Sequence, residues 1–175
     1  MVSIKDKEFI PYISAHALKK RIEEMGNEIS NDFSGNPAVL IGVLNGAFMF
    51  LSDLTRNIKI PMEVTFIKVA SYIGTESSGA VKSLMGLDLD LEGKSVILVE
   101  DIVDTGLSMK FLLELVKEKK PNKIAVASLL LKPDALVHDI KIDYVGFEIP
   151  NRFVVGYGMD YDGFGRNLPA LYQLK

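Results

Sequence analysis

A doubly wound α/β fold, with a mainly parallel sheet and flanking helices, is what this chain predicts, on three observations. Residues 38–44, 96–99 and 124–131 are nearly continuous apolar runs, the pattern of strands buried on both faces. Stretches of helical periodicity alternate with them, as in a parallel sheet wound with helices. No internal repeat and no Gly-, Ser- or Pro-rich linker divides the 175 residues, a length that suits one domain, 1–175.

Taken in order, Ser14 can cap a helix in which Leu18, Ile22, Met25 and Ile29 recur on one face. Gly35-Asn36-Pro37 closes that region as a loop, and 38–44 is the first buried strand. Asn45-Gly46 turns the chain into a helix over 47–57 that packs Phe48, Leu51 and Leu54 inward. The β-branched and aromatic run 62–72 is the next strand. Residues 74–79 are polar with glycine at both ends, and their composition suits an ordinary hairpin loop and a mobile lid equally. Then come a central strand at 96–99, a helix over 109–119, a strand at 124–131, and short strands at 144–147 and 153–157. In such a sheet ligands bind beyond the carboxyl ends of the strands, so the loops after Leu44, Tyr72, Val99 and Leu131 converge.

Composition excludes several classes. A net charge of −3 gives no broad basic footprint for nucleic acid. Without cysteine there is no disulfide framework, thiolate nucleophile or Cys-type zinc site, and His16 and His138 are isolated residues that read as surface or helix-end positions. The first residues lack the apolar core of a signal peptide, and no apolar run approaches the ~18 residues that span a bilayer. A cytoplasmic location and no membrane partner are the expectations.

Chemistry concentrates in the run from Val96 to Met109. Glu100 and Asp101 sit at the carboxyl end of a strand, and Asp104, Thr105, Gly106 and Ser108 carry the chain into a helix. Backbone N–H groups at such a helix start can hold a phosphate, with the hydroxyls of Thr105 and Ser108 as further donors. The adjacent acids can grip ribose hydroxyls or a hydrated Mg²⁺, which favours one or two carboxylates plus phosphate oxygens. Helix capping would explain Thr105 or Ser108 but not two neighbouring carboxylates, which repel unless a cation binds. Elsewhere the residues alone leave alternatives open. Asn45-Gly46 is a common turn, Tyr72 suits a strand-end aromatic, Lys132 suits a solvated strand end, Phe153 suits plain core and Arg166 suits a surface cation.

The run Val-Glu-Asp-Ile-Val-Asp-Thr-Gly, residues 99–106, resembles the phosphoribosyl-diphosphate-binding signature of the type I phosphoribosyltransferases. The resemblance extends from about Val39 to Arg166, and the stretch Val-Gly-Phe-Glu-Ile-Pro-Asn-Arg-Phe-Val-Val-Gly-Tyr-Gly-Met-Asp, 145–160, is most similar to the branch acting on hypoxanthine and guanine. It implies the type I phosphoribosyltransferase fold, with a small hood built from the N- and C-terminal segments. It also implies Mg²⁺-dependent transfer of a phosphoribosyl group from phosphoribosyl diphosphate to a 6-oxopurine, giving IMP or GMP and diphosphate, by a homo-dimer or homo-tetramer. The residues fall into roles by that likeness. Glu100, Asp101, Asp104, Thr105, Gly106, Leu107 and Ser108 would hold the phosphoribosyl group, with Asp104 also the general base facing the purine N7. Leu44, Asn45, Gly46, Ser71, Tyr72 and Arg166 would hold the diphosphate, and Arg152 is a further candidate there. Ile102, Lys132, Phe153, Val154, Met159 and Asp160 would line the purine site, Lys132 donating to O6 and Phe153 stacking. Metal would fall to Glu100, Asp101 and Asp160. Asn45 stands where many relatives carry Lys, so no cationic contact is available there.

Two rival classes compete. A regulator that senses phosphoribosyl diphosphate could dispense with Asp104 and would carry a basic face. A Mg²⁺-binding receiver-like module would have no use for the Thr-Gly-Leu-Ser turn. Within the transferases, xanthine, adenine and pyrimidines are the alternative bases, and no side chain visibly reads the substituent at purine C2.

Overall fold

The computed structural model describes residues 1–71, 81–85 and 89–175, with side chains placed for 1–69 and 89–175. Its strands are β1 (Val2–Ile4), β2 (Lys7–Ile13), β3 (Ala38–Leu44), β4 (Met62–Ser71), β5 (Val81–Met85), β6 (Ser95–Val103), β7 (Lys123–Leu131), β8 (Tyr144–Glu148), β9 (Val154–Val155) and β10 (Leu171–Leu174). The helices are α1 (Ala15–Asp32), α2 (Phe48–Asn57) and α3 (Leu107–Glu118).

Among the described residues the main sheet runs β5-β4-β3-β6-β7-β8, parallel except for β5 at the edge. The winding reverses between β3 and β6. From β3 the chain crosses through α2 to β4 on one side, whereas β6 crosses through α3 to β7 on the other. Loops leaving β3 and β6 therefore diverge at their carboxyl ends and open a crevice, the switch point where α/β sheets bind ligands. The expected doubly wound sheet is the observed one.

Both faces of the sheet are buried, which is why its strands read as unbroken apolar runs. Leu40, Ile97 and Val99 pack with Leu18, Ile22, Met25, Ile29, Leu51 and Leu54 of α1 and α2. Val39, Ile41, Val43, Val96 and Leu98 pack with Met109, Leu112 and Val116 of α3. Ser14 caps α1 as its sequence indicates, its hydroxyl accepting from the Ala17 N–H at 3.2 Å. A second, antiparallel sheet, β1-β2-β10-β9, joins the two ends of the chain around Phe9 and Val155. This is the hood that the family resemblance implies.

Several expectations are corrected at the level of single elements. The central strand extends from 95 to 103 rather than 96 to 99, so Glu100 and Asp101 lie inside it. Its alternation slips there: Val99 and Ile102 face the α1–α2 side, while Leu98 and Val103 face α3. The following helix starts at Leu107, two residues before the expected 109, because Gly106 adopts a left-handed φ of 83° and closes the turn early. The strand expected over 153–157 shrinks to Val154–Val155 and belongs to the hood, since Gly156, Tyr157 and Gly158 all take positive φ and leave the extended region. Phe48 points outward, 43% exposed, because the buried stripe of α2 runs through Ala47, Phe50, Leu51 and Leu54 at i, i+3, i+4, i+7. The expected strand 62–72 is described as far as Ser71. Tyr72 and the 74–79 stretch lie outside the described residues, as does the side chain of Ser71.

Candidate active site

Two cavities open side by side at the carboxyl edge of the sheet. One, of about 100 Å³, is lined by Glu100, Ile102, Val103 and residues 104–109. The other, of about 250 Å³, is lined by Asp101, Ile102, Asp104, Lys132, Phe153, Val154, Met159 and Asp160. They share Ile102 and Asp104. Every residue assigned above to the phosphoribosyl group except Asp101 lines the first, and every residue assigned to the purine lines the second.

The small cavity has the construction of an anion site, able to hold a phosphate. α3 begins without a side-chain cap, so nothing satisfies its first N–H groups from the Ncap position, where Gly106 stands. Thr105 Oγ1 lies 3.4 Å from the Leu107 N–H, a long contact that leaves the hydroxyl available. A helix N-terminus with no acid in its first turn favours an incoming anion.

Asp104 and Lys132 meet where the cavities join. Lys132 follows β7, is buried, and donates through Nζ to Asp104 Oδ2 at 2.8 Å and to Asn151 Oδ1 at 3.4 Å. Burying an ammonium is tolerable because both neighbours accept from it. The reading of Lys132 as a solvated strand-end residue is therefore overturned. Asp104 itself stays about half exposed, open to a ligand on its other side.

The hood supplies the aromatic wall. Phe153 is 46% exposed, so it is not core. Its ring is set by Tyr161, edge-on at 5.9 Å and 86°, and by Phe9 at 6.3 Å. Tyr161 is held in turn by its hydroxyl donating to Asp6 Oδ1 at 2.9 Å. Phe9, Tyr161 and Asn151 support the site without any local pattern pointing to them: Phe9 comes from β2, a strand not anticipated from the sequence, and no spacing connects Asn151 to residue 132.

The diphosphate side is assembled by close backbone packing. The Leu44–Asn45 peptide is cis. A Cβ on Gly46 would fall 1.6 Å from Asp101 Oδ2, and one on Gly158 would fall 2.1 Å from the Gly46 carbonyl oxygen. Only glycine lets these three segments touch. Arg166 reaches into the same corner, donating through Nη1 to the Gly158 carbonyl at 2.7 Å and pairing through Nη2 with Asp160 Oδ1 at 2.6 Å. Asp160 Oδ2 accepts from the Gly163 N–H at 2.6 Å, so both its oxygens are engaged. Arg152 instead donates to Gln173 in the hood at 2.8 Å.

Glu100 is buried and Asp101 partly buried, and among the described residues neither forms an ion pair. Burial first, then the charge of Asp101, push the Glu100 carboxyl well above the usual carboxylate range. Burial also raises Asp101, opposed by local hydrogen bonds and the Arg166 charge. Two desolvated hard-oxygen acids side by side are a donor set that suits Mg²⁺. Asp160, expected to serve a second ion at the diphosphate, lies apart from that pair and against Arg166.

Comparison with known proteins places this site in a class. A model of the phosphoribosyl transferase domain matches residues 12–162, and the chain belongs to that family. Its fold is that of a type I phosphoribosyltransferase. Within the family it is similar over its whole length to hypoxanthine-guanine phosphoribosyltransferases. That of Aquifex aeolicus is 41% identical, covering 100% of this chain and 99% of the relative. That of Bacillus subtilis is 42% identical over 93% and 91%. The hypoxanthine phosphoribosyltransferase of Trypanosoma cruzi, solved with its product IMP, superposes with a TM-score of 0.90 at 36% identity, covering 100% of this chain and 98% of that one.

The buried Glu100 carries a pH signature. Its proton is held more tightly in the folded than in the unfolded chain, so its ionisation costs nothing below the ordinary carboxylate pKa, and stability declines as pH rises from there toward the raised value. Glu100→Gln removes that cost. In metal-free buffer the variant should melt higher than the parent at pH 7, by about 2–4 °C per kcal/mol recovered, with the difference closing near pH 4. Thermal melts at the two pH values check it, and equal melting at pH 7 would contradict the assignment.

Proposed function

We propose that the protein transfers the phosphoribosyl group of phosphoribosyl diphosphate to hypoxanthine or guanine, forming the nucleoside 5′-monophosphate and diphosphate. The observation that carries this reading is the Lys132–Asp104 pair, seated between a phosphate cradle and an aromatic-walled cavity. The names of its relatives support the same activity.

The 5′-phosphate enters the first turn of α3, where several N–H···O⁻ bonds supply the affinity, since the helix dipole alone gives only ~0.3–1 kcal/mol. The purine lies against Phe153, with Lys132 donating to O6. An adenine amino group would set donor against donor there, and a mismatched site of this kind rejects strongly. As purine N9 bonds to the ribose anomeric carbon, the bond to the diphosphate oxygen breaks and Asp104 accepts the proton from N7. Lys132 holds the Asp104 carboxylate in place through its Nζ–Oδ2 contact. Arg166 and the backbone at Gly46 stabilise the departing diphosphate. Glu100 and Asp101 would hold Mg²⁺ at the ribose, where it neutralises both acids and part of the diphosphate charge.

We also propose that the protein works as a homo-dimer or homo-tetramer. Phe48, Val64 and Phe66 are exposed, and Gly42 brings Phe66 beside Leu51 of α2, so these rings crowd one face next to the diphosphate loop. A patch of this kind marks an interface. Phe66→Glu should shift the mass measured by light scattering toward the monomer, and an unchanged mass would exclude this face.

The decisive experiment is a product assay with phosphoribosyl diphosphate, Mg²⁺ and each nucleobase in turn. IMP and GMP are expected, and turnover of adenine alone would overturn the reading. Asp104→Asn should retain the sugar donor while lowering turnover roughly 10²-fold or more. Lys132→Ala should raise KM for hypoxanthine about tenfold or more with far less effect on the donor, and equal losses for both would remove Lys132 from base recognition.

A further inference from the structure

We infer that Tyr157 and Asp53 form a positioning pair that fixes the spacing between the purine and diphosphate halves of the site. Tyr157 is buried, and its hydroxyl donates to Asp53 Oδ2 at 2.5 Å, across 104 residues of sequence. Asp53 lies on α2, the helix that leaves the diphosphate loop. Tyr157 begins the segment that carries Gly158, Met159, Asp160 and Arg166. One hydrogen bond therefore joins the elements behind the two subsites, touching neither ligand.

The backbone is arranged to make this contact. Gly156, Tyr157 and Gly158 have φ of 101°, 49° and 103°, and a bulky aromatic in the left-handed region is a costly exception. That conformation turns the Tyr157 ring inward against α2 while Gly158 is pressed onto the Gly46 carbonyl. The Tyr157 N–H donates to the Leu168 carbonyl at 2.8 Å and the Gly158 N–H to that of Arg166 at 2.9 Å, closing a small loop around the arginine. α2 is fixed against α1 at Gly26, where a Cβ would meet Asn57 Cβ at 2.6 Å. With α2 immobile, the hydroxyl of Tyr157 decides how closely the loop of Met159 and Arg166 seats on the diphosphate turn. A shift of about 1 Å between reacting groups can cost as much as 10²-fold in rate.

This inference rests on the transferase reading, but its test is separable from it. Tyr157→Phe keeps the ring and deletes only the donor. We expect KM for phosphoribosyl diphosphate and for hypoxanthine to rise together about three- to tenfold, and amide exchange across 156–166 to quicken by a similar factor. Asp53→Asn retains an acceptor oxygen and should restore values near the parent's, whereas Asp53→Ala should match Tyr157→Phe. The double variant Tyr157→Phe/Asp53→Ala should lose no more than either single one. Because Asp53 is half exposed on a helix, its replacement reports even where the tyrosine variant folds poorly. A lower melting temperature with unchanged KM and unchanged exchange at 156–166 would overturn the pairing, as would additive losses in the double variant. Inactivity of the parent protein would instead sink the transferase reading and leave the exchange result to decide the pair.

Discussion

The site depends on a steric constraint: three chain segments approach so closely at the carboxyl edge of the sheet that two of them must lack side chains. Gly46 lies against the Asp101 carboxylate and Gly158 against the Gly46 carbonyl. A methyl group at either position would overlap its neighbour by an ångström or more, and a packed interior resists such shifts. This contact brings the diphosphate turn, the acidic end of β6 and the hood-derived loop into one corner. Without it the phosphate cradle would still exist, since it is local to β6 and α3. The acids, the arginine and the purine wall would have no common centre.

Electrostatics in that corner follow from the packing. Burial raises both carboxyls and the charge of Asp101 adds to the rise at Glu100, while the only nearby guanidinium among the described residues, Arg166, is shared with Asp160. The corner formed by Glu100 and Asp101 is thus short of positive charge. Lys132 differs in being matched to Asp104 and Asn151, so it is stable before any ligand comes. Cation and acid are thus paired at the purine end and unpaired at the ribose end.

Much of this was legible in the sequence, and what was not has a physical cause. The buried strands could be read because parallel strands covered on both faces lose their alternation and become runs such as 38–44 and 124–131. The small cavity could be anticipated because its whole lining comes from one short stretch, 100–109. Lys132, Phe153 and Arg166 could be placed only through family resemblance, since each side chain alone suits an ordinary surface or core. The outward turn of Phe48 was hidden because helical spacing fixes a face only to within a stripe's width, and Phe50 is the better fit to it. The contacts of Lys132 with Asn151, of Phe153 with Tyr161 and of Tyr157 with Asp53 depend on chain reversal through the hood, and no local pattern encodes them.

The hood also explains why the purine wall can be aromatic yet accessible. A ring left about half exposed on a loop would ordinarily pay to be ordered, because solvent offers it many orientations. Phe153 is instead braced by Phe9 beneath and by the edge of Tyr161, and Tyr161 is pinned by Asp6 in the turn between β1 and β2. The first ten residues of the chain therefore help to set the orientation of a ring at position 153. Under the proposed reading an arriving base would meet a surface already in place, its ordering entropy met by hood packing rather than by binding. Parallel sheet and antiparallel hood consequently divide the work. The sheet delivers charge and phosphate donors from strand ends, and the hood delivers a preformed apolar face that strand ends, bounded by polar loops, do not supply.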